Sequence, residues 1–360
     1  MTVLQVCAFG AEQPGNFIAS LEALERELLS KGIKTIYAFV ERAADKDWCQ
    51  EICSRTKVYF LPEAKARILP KTYQIMRRIY KENKVDIVHT HFELYDIPAT
   101  VTAPKDTKIF WHLHDPIVLR SGIRSLLWKI QYKYVGCRAN LLAVADYYRN
   151  VVVDFGFPEN QTKLVLNGID LSRVTKENVK RDQEYDFLTF GWDFERKGDD
   201  LIIRACDKLT NEGYRFKLLL NGNENTWLKL DEFLDGKIPP YLVKGNPVKE
   251  VGCLFSKSKV FIQASRRETF SYAVCEAAYA GLPVISSDIA GLEWAHALPT
   301  VEFFKNEDIN GLYNLMKEFL DGKRISRSDI NKSQEYIREK LSIEAWAETI
   351  IGYYGLEDKK

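Results

Sequence analysis

The sequence predicts an α/β chain made of two doubly wound, Rossmann-like halves in tandem. Three observations carry this reading. Short apolar runs rich in Val, Ile, Leu and Phe alternate with longer amphipathic stretches, the pattern of βαβ units around a parallel sheet. The alternation lapses in a polar, charged stretch and then restarts. The chain has 360 residues, more than the roughly 250–300 at which a single hydrophobic core stops growing.

In order along the chain, TVLQVCAFG reads as a first strand and residues 16–30 (NFIASLEALERELLS) as an amphipathic helix closed by Gly32. KTIYAFV is a second strand, and a helix ends in KENK. Residues 85–89 and Lys108–Leu113 read as strands, 125–134 as helical, and LLAVAD and KLVLNG as the strands that finish the half. After the polar stretch, EYDFLTFGW, RFKLLLNG, KVFIQAS and PVISSD read as strands. DDLIIRACDKLTNEG and FSYAVCEAAYAG read as helices among them. The expected partition is an N-terminal domain over 1–168, a linker over 169–184 and a C-terminal domain over 185–335. Residues 336–360 are expected to form a C-terminal helix able to cross back to the N-terminal domain.

Composition excludes several classes. With 46% hydrophobic and 28% charged residues the chain is neither disordered nor fibrous nor a coiled coil. A net charge of +1 offers no whole-chain attraction to nucleic acid. No run approaches the ~18 apolar residues of a membrane span. MTVLQVCAFGAEQPG lacks a basic leader with a cleavage site, so a cytoplasmic location is expected. The seven cysteines are scattered, without a CxxC pair, and read as reduced thiols.

Ligands of open α/β sheets bind beyond the carboxyl ends of the strands. Four of the five histidines cluster at two such ends, His89 and His91 in DIVHTHFE and His112 and His114 in FWHLHDP. Period-2 spacing puts each pair on one strand face. His89 and His112 are expected in the core, with His91 and His114 nearer the open end. The four imidazoles with Asp115 also have the composition of a zinc or iron site, which would make the protein a metal-dependent hydrolase. His296 is expected to be structural or on the surface. In the second half, Arg196 and Lys197 stand just before a predicted helix starting at Asp199, where free backbone N–H groups already favour an anion. They suggest a phosphate or pyrophosphate clamp, although a lone RK pair is commonly solvated. Glu268 and Glu276 are eight apart and fall along one side of a loop-helix unit. A Glu within YAVCEAAYAG is costly to bury unless paired. A polyol would pair it, since a carboxylate accepts two hydroxyl protons. The competing reading has Glu268 capping the helix and Glu276 meeting an internal Arg or Lys. Thr269, Phe270 and Ser271 bring backbone N–H groups to the same helix start.

Together, Gly191–x5–Lys197–Gly198, Glu268–x7–Glu276, the following AGLPVISSD–x2–GLE and Asn167–Gly168–Ile169–Asp170 resemble glycosyltransferase family 4. The resemblance implies a GT-B architecture, two Rossmann-like domains facing each other across a central cleft. It also implies a retaining hexosyltransferase that uses a nucleoside-diphosphate sugar, UDP favoured, and no metal. By resemblance, Lys197 binds the donor's pyrophosphate, Glu276 the ribose hydroxyls and Glu268 the donor sugar. The amides of Phe270 and Ser271 lie near sugar and phosphate, with Thr269 in the same donor-binding set, His114 near the transferring sugar, and Gly15 near the diphosphate and acceptor. His114, Glu268 and Lys197 are the residues placed closest to the chemistry. The sequence departs from the family in having Trp192 where an arginine is usual, with Arg196 as its possible substitute. It also has Thr269-Phe270-Ser271 in place of Gly-Phe-Gly. Non-catalytic GT-B partners and nucleotide-sugar epimerases share the architecture and are the other readings.

The acceptor is expected to be a glycan or a lipid-linked glycan in cell-envelope or capsular polysaccharide synthesis, with no nucleic-acid partner. Two basic stretches lie in the first half. Residues 60–85 hold Lys65, Arg67, Lys71, Arg77, Arg78, Lys81 and Lys84 against Glu63 and Glu82. Residues 117–138 hold Arg120, Arg124, Lys129, Lys133 and Arg138 with no acid. Within the second, IRSLLWKIQYKY has the pattern of a basic amphipathic helix with an interfacial Trp128, suited to the anionic inner face of a cell membrane. The competing expectation buries Leu126, Leu127 and Ile130 in the core.

Overall fold

The computed structural model describes residues 1–115, 123–174, 183–248 and 250–356. They form two compact units, the first built from Met1–Gly168 with the C-terminal helix Ile343–Tyr354 and the second from Ile169–Ser342.

The first unit has seven parallel strands: β1 (Thr2–Cys7), β2 (Lys34–Val40), β3 (Val58–Leu61), β4 (Ile87–His91), β5 (Lys108–Leu113), β6 (Asn140–Ala143) and β7 (Thr162–Leu164). Their order is β3-β2-β1-β4-β5-β6-β7. Helices cover both faces, which is why β1 and β4 are buried almost throughout rather than alternating. The order reverses between β1 and β4, and that switch point is where an open sheet splays to admit a ligand. In register, His91 pairs with Cys7 on one side and His112 on the other.

The second unit repeats the plan with β8 (Tyr185–Phe190), β9 (Leu218–Asn221), β10 (Leu242–Gly245), β11 (Ser258–Gln263), β12 (Val284–Asp288) and β13 (Val301–Lys305). Their order is β10-β9-β8-β11-β12-β13, again parallel, with its switch point between β8 and β11. Each sheet packs its own core. Leu4, Ile36, Phe39 and Trp111 belong to the first, and Phe187, Ile202, Leu220 and Ile262 to the second.

The stretch read as a linker is ordered at its start. Asp170 accepts from Ser172 N (3.0 Å) and Ser172 Oγ (2.7 Å) and closes a short turn, Leu171–Arg173. Residues 175–182 of that stretch lie outside the described residues. The single helix expected over 336–360 is instead two, Arg327–Lys340 and Ile343–Tyr354. The helix breaks because Leu341 O accepts from Ile169 N (2.7 Å) and Ser342 pairs with Ile169, which pulls the backbone out of helical register. Strand β4 runs two residues further than the apolar run suggested, so His91 lies inside the strand.

Candidate functional site

At the carboxyl end of β8 the chain passes Gly191 and Trp192 into a one-turn helix, Phe194–Lys197, whose N-terminus Asp193 caps by accepting from Arg196 N. Gly198, at φ 71°, then turns the chain into the helix Asp199–Asn211. This double start throws Lys197 and Arg196 toward the end of β11. There Glu268 Oε1 receives Lys197 Nζ at 2.7 Å, Arg196 Nη1 at 3.2 Å, Gln263 Nε2 at 2.9 Å and Ser265 Oγ at 2.9 Å. Charge-assisted bonds of this kind are roughly twice as strong as neutral ones, and one carboxylate oxygen gathers four donors. Sequence spacing had singled out Arg196, Lys197 and Glu268, and the fold brings all three together.

The loop that carries Glu268 is held from three sides. Arg266 clamps Asp200 through two 2.8 Å bonds, and its backbone N–H donates to Arg196 O at 2.8 Å. Gly291, at φ 90°, lies so close that an added Cβ would overlap the Glu268 carbonyl. Phe270 is buried against Trp294, with ring centroids 4.8 Å apart, and Trp294 Nε1 donates to Phe270 O at 2.9 Å. Glu268 does not cap the following helix, Tyr272–Tyr279. Ser271 does, from a left-handed backbone at φ 59°. That conformation favours glycine, which gives a physical reason for the family's preference there. Glu276 is buried on this helix, 3.6 Å from Arg173 Nε, so the expected internal arginine partner exists. Trp192 is 42% exposed, and Arg196, four residues on, stands beside Glu268.

Below the loop, Asp199 is fully buried with no hydrogen bond to either carboxylate oxygen, and its side chain fills the space beside Gly191 Cα. Burial pushes its carboxyl well above the usual range. Burial thus disfavours a negative charge on Asp199, against an opposing pull from Lys197.

In the first unit the four histidines form one buried cluster, and His91 is as enclosed as His89 and His112. His91 closes β4 at its carboxyl end, as expected, but is fully buried there. The cluster is wired in sequence. Gln5 Nε2 donates to Tyr354 Oη (3.2 Å), leaving Gln5 Oε1 to accept from His91 Nε2–H (3.0 Å). His91 Nδ1 lies 3.0 Å from His114 Nε2, and His114 Nδ1 lies 2.9 Å from Asn167 Oδ1. At the other end, His89 Nδ1 lies 2.7 Å from Tyr354 Oη. Burial holds His114 down at about 4, against a small opposing pull from Asn167, and holds the other three well below their ordinary value. All four are neutral near pH 7. His89, His91 and His112 each offer a nitrogen within 4.8 Å of the others. As a metal site they would have to surrender one of the two hydrogen bonds that occupy His91. Both nitrogens of His114 are likewise engaged inside its own unit. Gly15 holds φ 57° at the start of the helix Gly15–Ser30, a conformational requirement, since nothing crowds it. His296 is half-exposed, bound to Asp288 at 3.1 Å.

Against known protein families, residues 20–173 match Glycosyltransferase Family 4 and residues 172–336 match Glycosyl transferases group 1. The chain belongs to glycosyltransferase family 4. An uncharacterized glycosyltransferase of Methanocaldococcus jannaschii is 26% identical over 62% of this glycosyltransferase and 60% of its own length. The capsular polysaccharide biosynthesis glycosyltransferase CapM of Staphylococcus aureus is 24% identical over 61% of this chain and 56% of its own length. The chain thus spans less than two thirds of these curated relatives. Among solved structures, Anabaena HepE in complex with UDP superposes with a TM-score of 0.79 at 12% identity, covering 99% of this chain and 100% of that one. The fold is GT-B, two Rossmann-like domains. The motif residues Lys197, Glu268 and Glu276 were legible in the glycosyltransferase sequence. Gln263 and Ser265, within five residues of Glu268, belong to none of the motifs, and Arg173 and Arg266 were not legible because their partners are set by strand order rather than by spacing.

Proposed function

We propose that this glycosyltransferase moves a hexose from a nucleoside-diphosphate sugar, UDP-sugar favoured, to a glycan or lipid-linked glycan. Retention at the anomeric carbon and a role in cell-envelope or capsular polysaccharide synthesis belong to the same reading. The observation that carries it is the convergence of Lys197 and Arg196 on Glu268 at the switch point of the second sheet. The Glu268 carboxylate engages both cations. An incoming diphosphate competes for them, and Glu268 is then free to accept from a sugar hydroxyl. The departing diphosphate's charge falls on Lys197, Arg196 and the amino end of the helix Asp199–Asn211, so protein cations can do the work a metal would. The UDP complex of HepE and the capsular role named for CapM support the donor and the pathway. A panel of UDP-, GDP- and dTDP-hexoses tests the proposal by thermal shift and slow hydrolysis. UDP-hexoses are expected to raise the melting temperature most, and a panel without any shift or hydrolysis overturns the donor reading.

The acceptor side is proposed to meet an anionic membrane from the cytoplasm. No helix among the described residues is long and apolar enough to cross one. On the helix Ile123–Ile130 and the turn after it, Leu126, Leu127, Ile130 and Tyr134 are 56%, 57%, 46% and 66% exposed. The expectation that the first three line the core is thereby overturned. Lys129 and Lys133 are exposed beside them. Trp128, expected at the interface, instead packs inward on Tyr132, with centroids 5.6 Å apart, because the helix presents that side to the core. Arg120 and the Arg124 side chain lie outside the described residues. Apolar side chains beside cations suit a surface of anionic headgroups. Flotation with anionic vesicles at low salt is expected to carry the protein up, and Leu126→Asp with Leu127→Asp to abolish this. Absence of wild-type binding overturns membrane docking.

A further inference from the structure

Arg173 follows the Asn167–Asp170 motif, and no spacing argument singles it out, yet its backbone is fixed more firmly than most turns. Ile169 is pinned by Leu341 O, Asp170 caps the turn, and Arg173 N donates to Asp170 O at 3.2 Å. The turn sits directly on Gly252, where an added Cβ would come within 3.0 Å of Val174 O and 3.3 Å of Arg173 O. From this seat the side chain, 29% exposed, reaches in toward Glu276, whose own side chain is 6% exposed.

The length of the contact matters. At 3.6 Å, Arg173 Nε is at ion-pair range but beyond a hydrogen bond. Arg173 Nε therefore offsets the buried carboxylate's charge without itself donating a hydrogen bond to it. A carboxylate that must accept two hydroxyl protons needs that arrangement. Full desolvation without a cation would be costly, and a close bidentate arginine would fill the acceptor positions.

We propose that Arg173 is a positioning residue of the donor site, holding the Glu276 carboxylate in the direction from which it grips both hydroxyls of a ribose. The inference rests on reading Glu276 as the ribose ligand. It goes beyond that reading by naming what aligns the carboxylate and by predicting that nucleotide choice depends on a residue that need not touch the nucleotide.

Calorimetric titration with UDP and with 2′-deoxy-UDP tests it, because the ratio of the two affinities reports on the hydroxyl grip and not on general integrity. Wild type is expected to prefer UDP by about tenfold, the scale of one hydrogen bond to a charged group. Glu276→Gln should collapse that ratio, and Arg173→Ala should lower it at least about threefold. Arg173→Lys, which keeps the charge and the fold, should retain most of it. A wild-type ratio in Arg173→Ala, alongside a collapsed one in Glu276→Gln, overturns the positioning role alone. An unchanged ratio in Glu276→Gln overturns the ribose reading, and the inference with it. So does the absence of any preference in wild type across UDP, GDP and ADP and their 2′-deoxy counterparts.

Discussion

Lys197→Ala is expected to lower sugar transfer by at least ~10²-fold, the usual consequence of removing a preorganised donor from developing negative charge. The geometry says why this loss should be catalytic. Glu268 Oε1 would keep Arg196, Gln263 and Ser265 as donors, so removing Lys197 leaves no orphaned buried carboxylate. Unfolding midpoints should stay near wild type while kcat/KM collapses. Glu276→Ala is expected to fall as far, chiefly through donor affinity, since a diol would lose its acceptor. Near-wild-type turnover in both variants would remove the basis for the donor site.

The second large effect is on stability. Gly198→Ala is expected to destabilise the protein by about 2–5 kcal/mol, combining a left-handed backbone with forced overpacking. Gly198 sits at φ 71°, and an added Cβ would overlap the Ala264 carbonyl oxygen, a backbone atom that cannot swing aside. Gly213 supplies the control. It holds φ 92° with nothing near its Cβ position, so Gly213→Ala should cost only the conformational part, about 1 kcal/mol. Urea unfolding of both variants separates the two contributions, and equal losses would discard the steric argument. Because Gly198 joins Lys197 to the helix Asp199–Asn211, the same substitution should also impair transfer.

Much of the architecture was readable because buried parallel strands leave continuous apolar runs. The strands that left no such trace, β3, β10 and β13, are sheet edges. β3 and β10 are four residues each, and all three are only partly buried, so VYFL, LVKG and VEFFK are runs too short or too interrupted by charge to stand out. In the site, Lys197, Glu268 and Glu276 could be picked out because each sits at a fixed offset from a glycine or a helix start. Arg173 and Arg266 meet their partners across about a hundred and about seventy residues of chain respectively, a relation that exists only once the strands are ordered. The histidines were visible as two HxH pairs. Their closure by Gln5 and Tyr354, from opposite ends of the chain, was not.

That closure bears on how the molecule can be cut. The helix Ile343–Tyr354 supplies Tyr354 to the wire and Trp346 to the His112 ring, 6.1 Å away between centroids. The second unit is therefore one uninterrupted insert, whereas the first is assembled from both termini. A stop codon after Ser342 would leave the second unit covalently whole and strip the roof from four buried imidazoles in the first. Grafting a foreign second unit means replacing a single internal segment. Isolating the first unit calls for a permuted gene, with the helix Ile343–Tyr354 fused ahead of the first strand.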